Sequence, residues 1–484
     1  MTHGSDRGEE IAWLSALELR ALFRSRALSP VEVAEATLAR IEALDSGLGA
    51  FVTQTPERAL AEARRSERSY LAGHAERPLE GIPISLKDLV PTRGVRTTRG
   101  SLLYEHWVPD YDAPVAERVR DAGAVLLGKT NTPEMGWKGD SGNRVLGPTH
   151  NPFAHGRTAG GSSGGAAAAV ASGLGPLAQG SDGAGSIRIP AAFCGVFGHK
   201  PSFGLVPYYP PSAIEQLSAI GPITRTVRDA ALLLDVLAGP DARDRMSLPA
   251  TGTGFLAAVE GGVRGLRVAW SDDLGFGAVE PEVLELARAA AGAFDELGAH
   301  VEEISAGLPD PYRALELIWA TGQAAMHDGE LDAVRDRLDP GRLALIELGL
   351  EVSGVELAAA HDERLVFYQR VRELMSGYDL LLTPTLPVTA FAAGDDHPGP
   401  VRDRPASVLG WTCFTYPFNM TGHPAATVPA GLAADGLPVG LQIVGGWRED
   451  ATVLRAAAAY EELRPWLASL ARAGGGLAWR SLPR

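Results

Sequence analysis

At 484 residues the chain is longer than one typical domain, and a length rule alone would divide it into about three. Its 45% apolar content is enough for a substantial core, while 59 acidic against 44 basic side chains leave a formal charge of −15. That balance argues against nonspecific binding to nucleic acid or to an acidic membrane, both of which need a basic face. Two cysteines, Cys194 and Cys413, are too few for a disulfide framework. Residues 1 to 10 lack the apolar core of a signal peptide, and no apolar run reaches the roughly 18 residues that span a bilayer. A cytoplasmic protein is expected.

In chain order, residues 1 to about 10 are polar and read as disordered. Ile11, Leu14, Leu17, Leu22 and Phe23 recur at helical spacing, which predicts a helix from Ile11 to Leu28. Ser29-Pro30-Val31-Glu32 is a capping box with proline at the first helical position, so a helix starts there and runs to about Asp45. Pro56 to Leu71 is a further helix, closed by Gly73. Gly81 to Asp88 reads as a short buried strand that ends in Lys87, an unusual residue to finish an apolar run.

A helix from Ala113 to Gly123 and a strand from Ala124 to Gly128 follow, then the loop Lys129 to Glu134. Later elements are a helix from Thr224 to Gly239, a strand from Leu266 to Trp270, a helix from Glu280 to Gly298 and a strand from Val301 to Ile304. Residues 308 to 378 are mostly helical. Asp379 to Pro384 is a buried strand, Asp450 to Leu463 a closing helix, and a Gly/Ala run surrounds Gly474. Strands alternating with helices predict an α/β fold, a large, mostly parallel or mixed sheet with helices on both faces.

The most informative stretch runs from Arg157 to Ser202. It holds two Gly/Ser loops, 160–165 and 180–186, around a small-residue helix pattern. Glycines let backbone N–H groups come close to a ligand, and serines supply hydroxyls. That pairing suits attack by a hydroxyl with backbone donors holding the developing charge. A flexible linker would not carry Ile187, Arg188, Ile189, Pro190 and Phe193 beside its glycines.

Taken together, G-G-S-S-G-G from Gly160, G-S-D-x-x-G-S-I-R-x-P from Gly180 and C-G-x-x-G-x-K-P from Cys194 resemble the amidase signature family. The likeness extends to G-x-P-x-x-x-K-D at 81–88 and G-K-T-N-x-x-E at 128–134, and more loosely to P-x-N-x-T-G-x-P-A at 417–425 and L-P-x-G-x-Q at 437–442. It implies one domain over residues 1–484, with 81–240 and 410–465 as the signature core and 261–400 as a variable, substrate-side region.

The resemblance also implies a triad. Ser186 is the nucleophile, Ser162 passes the proton after a cis peptide bond, and Lys87 is a neutral base. The interval from Ser162 to Ser186 matches the family's. The backbone N–H groups of Gly183, Ala184, Gly185 and Ser186 would form the oxyanion hole. Ala184 replaces a glycine common in the family, and a positive φ there would strain it. Asp182 and Arg188 are expected as a buried brace for the loop, and Met135 and Gly136 as acyl-pocket lining. Asn131 and Glu134 would either tie loops together or serve as local caps. Ser163 reads as a helix N-cap, and Cys194 as a small buried group.

None of the 11 histidines sits in a recognisable motif, and no G-x-S-x-G elbow is present, so a Ser-His-Asp triad is not indicated. No metal-ligand spacing or nucleotide fingerprint appears, and neither a metal nor a cofactor is expected. The implied activity is amide hydrolysis of a small carboxamide, or of an aryl or alkyl amide, ester or carbamate, by a stand-alone enzyme. A homodimer is compatible with it. The alternatives are the A subunit of a glutamyl-tRNA amidotransferase and a non-catalytic scaffold. The first lacks its Y-x-x-x-A-E-A-x-S-N-L segment between 300 and 350, and the second sits poorly with an intact Lys87, Ser162 and Ser186.

Overall fold

A computed structural model describes residues 3–249, 254–327 and 329–467. Residues 1 and 2 of the N-terminal segment, and the Gly/Ala run near Gly474, lie outside the described residues. Eleven strands form one sheet: β1 Phe51–Gln54, β2 Pro83–Lys87, β3 Val125–Thr130, β4 Leu177–Asp182, β5 Phe197–Lys200, β6 Ala219–Thr224, β7 Arg267–Trp270, β8 His300–Glu303, β9 Leu380–Pro384, β10 Ala425–Leu432 and β11 Pro438–Gly445. Their order across the sheet is β1-β3-β2-β4-β6-β5-β10-β11-β9-β7-β8.

The two sheet faces follow from the pleat, which sends successive side chains to opposite sides. Leu380 and Leu382 enter one core and Leu381 the other, just as Val268 and Trp270 face away from Ala269. The larger core packs under the helices Pro30–Leu48, Gly164–Ala171, Val227–Leu237, Pro281–Glu296 and Asp450–Leu463. The second lies under Tyr312–Ala325, Gly354–Met375 and Tyr416–Met420. Helices therefore cover both faces, as expected.

The sheet is mixed, and the expectation of mostly parallel pairing is corrected. Six of its ten ladders are antiparallel. The strands legible in the sequence, β2, β3, β7, β8 and β9, are the helix-separated ones, and they pair in parallel within their two groups. Between them lies an antiparallel centre, much of it joined by links too short for a crossover helix, such as residues 433–437 between β10 and β11.

The N-terminal expectation also changes. A helix spans His3–Trp13, where disorder was read, because Arg7 pairs with Glu32 at 2.9 Å and Glu9 with Arg40 at 2.7 Å, fixing it to the helix Pro30–Leu48. The single helix expected from Ile11 to Leu28 is two. Ser15 opens the second with a full capping box, and Asp229 Oδ2 accepts the Ala16 N–H at 2.8 Å. The helices Pro56–Ala72 and Asp450–Leu463 fall where their caps and apolar spacing placed them.

Candidate active site

Lys87 is the last residue of β2, and Ser181 and Asp182 close its parallel neighbour β4. Parallel neighbours end at the same edge, the usual place for a ligand site in an open α/β sheet. Ser162 and Ser163 arrive from the loop before the helix Gly164–Ala171, after a cis Gly161–Ser162 peptide bond. The fully buried Lys87 Nζ lies 2.6 Å from Ser162 Oγ, 2.9 Å from Ser163 Oγ and 3.1 Å from Ser181 Oγ. Burial lowers its amine to about 7, against a smaller upward pull from Asp182. A neutral amine keeps a lone pair that accepts a serine proton while its two N–H groups donate.

Ser163 departs from its expected role. It stands at the N-cap position but makes no side-chain capping bond, and its hydroxyl meets Lys87 and donates to the Ser181 carbonyl at 3.1 Å. It belongs to the cluster around the amine.

The loop after β4 is held from below by Asp182. One carboxylate oxygen accepts the Gly185 N–H at 2.7 Å, and the other accepts the Ile187 N–H at 3.1 Å. Arg188, fully buried like Asp182, reaches both oxygens at 2.9 and 3.0 Å. Burial alone would raise the Asp182 carboxyl, but the adjacent guanidinium holds it well below the usual carboxylate range. The remaining Arg188 donors go to the Thr415 carbonyl, Gln442 Oε1 and Asn419 Oδ1, so the brace extends to the two later motifs.

Gly185 N–H is thereby occupied, whereas the N–H groups of Gly183, Ala184 and Ser186 meet no acceptor among the described residues. Gly185 has φ +130°, a conformation for glycine, while Ala184 is not among the positive-φ residues.

Ser162 and Ser186 line one narrow cavity of about 30 Å³, together with Met135 and Gly136. A Cβ on Gly136 would lie 3.1 Å from Ser162 Oγ, so the glycine lets the wall come close. Asn131 and Glu134 tie loops together. Asn131 donates to the Gly147 carbonyl at 3.0 Å, and Glu134 accepts Ser101 Oγ at 2.6 Å and Asp339 N–H at 2.7 Å.

The sequence reading missed Leu89, Tyr208, Ser212, Ile214, Ser218, Trp319 and Gln323, which complete the wall. No usable signal marked the last two, because a large aromatic and an amide four residues apart occur on many amphipathic helices. A wider cleft of about 340 Å³ near Phe153 and Trp466 contains no serine or lysine and shares no lining residue with this cavity.

The buried Lys87 amine meets Ser162, and Ser162 shares one cavity with Ser186. The family model for amidases matches residues 32–454. An acylamidase of Rhodococcus erythropolis is 43% identical over 466 residues, covering 95% of this chain and 97% of that protein. The A subunit of the glutamyl-tRNA(Gln) amidotransferase of Moorella thermoacetica is 38% identical over 480 residues, covering 94% and 97%. Among solved structures, a bacterial aryl acylamidase of the amidase signature family superposes with a TM-score of 0.90 at 35% identity, covering 96% and 99%. The chain belongs to the amidase family, and it is an amide-cleaving hydrolase. No described helix is long and apolar enough to cross a membrane.

Proposed function

We propose that this hydrolase acts alone on small carboxamides through a seryl acyl-enzyme formed at Ser186. The observation that carries the reading is the fully buried Lys87 amine, held near 7 and 2.6 Å from Ser162 Oγ. Neutral Lys87 takes the Ser162 proton as Ser162 takes that of Ser186, and Ser186 Oγ attacks the carbonyl carbon. The N–H groups of Gly183, Ala184 and Ser186 receive the oxyanion. Gly185 drops out of the donor set, because Asp182 already holds its N–H.

Collapse expels the amine with a proton returned through the same relay. Water then repeats the sequence on the acyl-enzyme. Asp182 and Arg188 keep the loop in place, and Met135 and Gly136 shape the acyl side.

Aryl and alkyl amides, with related esters or carbamates, fit the apolar wall of Leu89, Met135, Ile214 and Trp319. The acylamidase relative supports the same substrate class. Cytoplasmic residence is part of this reading, supported by two buried, unpaired thiols. So is a homodimer, supported by Val355, Leu365 and Val366 exposed on the helix Gly354–Met375.

The test is covalent labelling by a fluorophosphonate with peptide mapping, beside turnover of a panel of anilides, aliphatic amides, dipeptide amides and carbamates. The label is expected on Ser186, and Ser186→Ala abolishes turnover with the fold intact. Retained turnover in that variant, or a label elsewhere, refutes the assignment.

A further inference from the structure

The helix Tyr312–Ala325 presents Trp319 and Gln323, one turn apart, to the cavity that holds Ser162 and Ser186. Trp319 ring atoms lie 3.1 Å from the point a Cβ on Gly183 would occupy, so the indole edge abuts the loop that carries Ser186. Gln323 is 1% exposed, and its Oε1 accepts the Arg342 Nε–H at 2.8 Å.

A guanidinium only donates, so the amide orientation is fixed, with oxygen toward Arg342 and the NH2 group turned away from it. Among the described residues that NH2 makes no hydrogen bond, and it is not sealed off from the cavity that Gln323 lines. A donor open to a cavity is met there by water or by a ligand that offers an acceptor.

Charge narrows the choice of ligand. Arg342 is fully buried and lies 3.5 Å from Glu134 Oε1. Glu134 is itself held by Ser101 and by the Asp339 N–H. The guanidinium is thus already balanced, and the cavity receives from this side a neutral amide donor and no net charge.

We propose that Gln323 donates a hydrogen bond to a neutral acceptor, a carbonyl or ether oxygen, on the amide substrate, beside an apolar portion that meets Trp319. Arg342 is the positioning residue for that amide. The inference rests on the reading of Ser186 as nucleophile. It sets the preferred substrates as amides with an oxygen acceptor close to the scissile bond, over their purely hydrocarbon counterparts.

Matched substrates test it with the full-length enzyme. One pair places the oxygen on the acyl arm, methoxyacetanilide against butyranilide. The other places it on the amine arm, 4-methoxyacetanilide against 4-ethylacetanilide. In at least one pair the wild type should favour the oxygen-bearing member by about three- to tenfold in kcat/KM. Gln323→Met, which keeps the length of the side chain, should erase that advantage, lowering kcat/KM for the oxygen-bearing member about three- to tenfold more than for its hydrocarbon partner.

No advantage in either pair for the wild type overturns the proposal without any variant. So does an advantage that survives Gln323→Met, or an equal loss on both members. Fluorophosphonate labelling of Ser186 is measured on the same samples. A labelled enzyme with no preference sinks this proposal alone, whereas an unlabelled enzyme sinks the nucleophile assignment and this proposal with it.

Discussion

Lys87 decides the behaviour of the site at the scale of single residues. A lysine in water stays charged far above neutrality, but full burial brings this one to about 7. Below that value the amine holds its proton and cannot accept another. Wild-type kcat/KM should therefore fall as pH drops through about 7, approaching tenfold per unit, and level off above it. A flat rate from pH 8 to pH 5 would remove Lys87 from the role of base.

Lys200, also buried, is lowered to about 7 as well, so the profile is to be repeated on Lys200→Met. The inflection should persist there. The same shift bears on stability, and with the same sign. The unfolded lysine binds a proton between about 7 and its ordinary value near 10.5 while the folded one does not, so this group makes the fold more stable as pH rises across that window.

At the scale of elements, the turn from β4 into the helix Arg188–Phe193 depends on one carboxylate. Asp182→Asn leaves the buried Arg188 guanidinium without its counter-charge, and breaking such a pair costs about 3–5 kcal/mol. Urea unfolding should show a loss of that size, with activity falling alongside. Gly185→Ala should be nearly inactive, because φ +130° excludes alanine and Thr415 crowds the position. Ala184→Gly should keep kcat within about threefold, since Ala184 has no positive φ for a glycine to relieve. A large effect there would mean that its methyl group takes part in the site.

What the sequence revealed at this scale was uneven, and the reasons are physical. Helices announced by a cap and an apolar stripe were legible, and so were strands of Leu and Val. β4 was not, because Ala178, Gly180 and Ser181 carry no alternation of apolar and polar side chains, and the stretch reads as a loop. The triad positions came from motif likeness. The wall did not, because Trp319 and Gln323 sit on a helix whose pattern is that of any amphipathic segment. Ser163 was read as a cap because local sequence cannot reveal an amine arriving from β2.

For the molecule as a whole, burial governs the thiols. Cys194 is pushed above its ordinary range by burial, and Cys413 up to about 12. Iodoacetamide should leave the native enzyme active and unmodified, and two thiols should react once it is unfolded in guanidinium. Inactivation of the native enzyme by alkylation would point to a cysteine within reach of the cavity.

The grip of Arg188 on Thr415, Asn419 and Gln442 bears on how the enzyme is made. A ribosome releases the nucleophile loop long before these three partners leave its exit tunnel. Until they do, Asp182 alone holds the guanidinium, and the loop lacks its ties to the later motifs. A ribosome-bound chain stalled before Thr415 has emerged is therefore expected to hydrolyse no amide, and one that has released Gln442 is expected to do so.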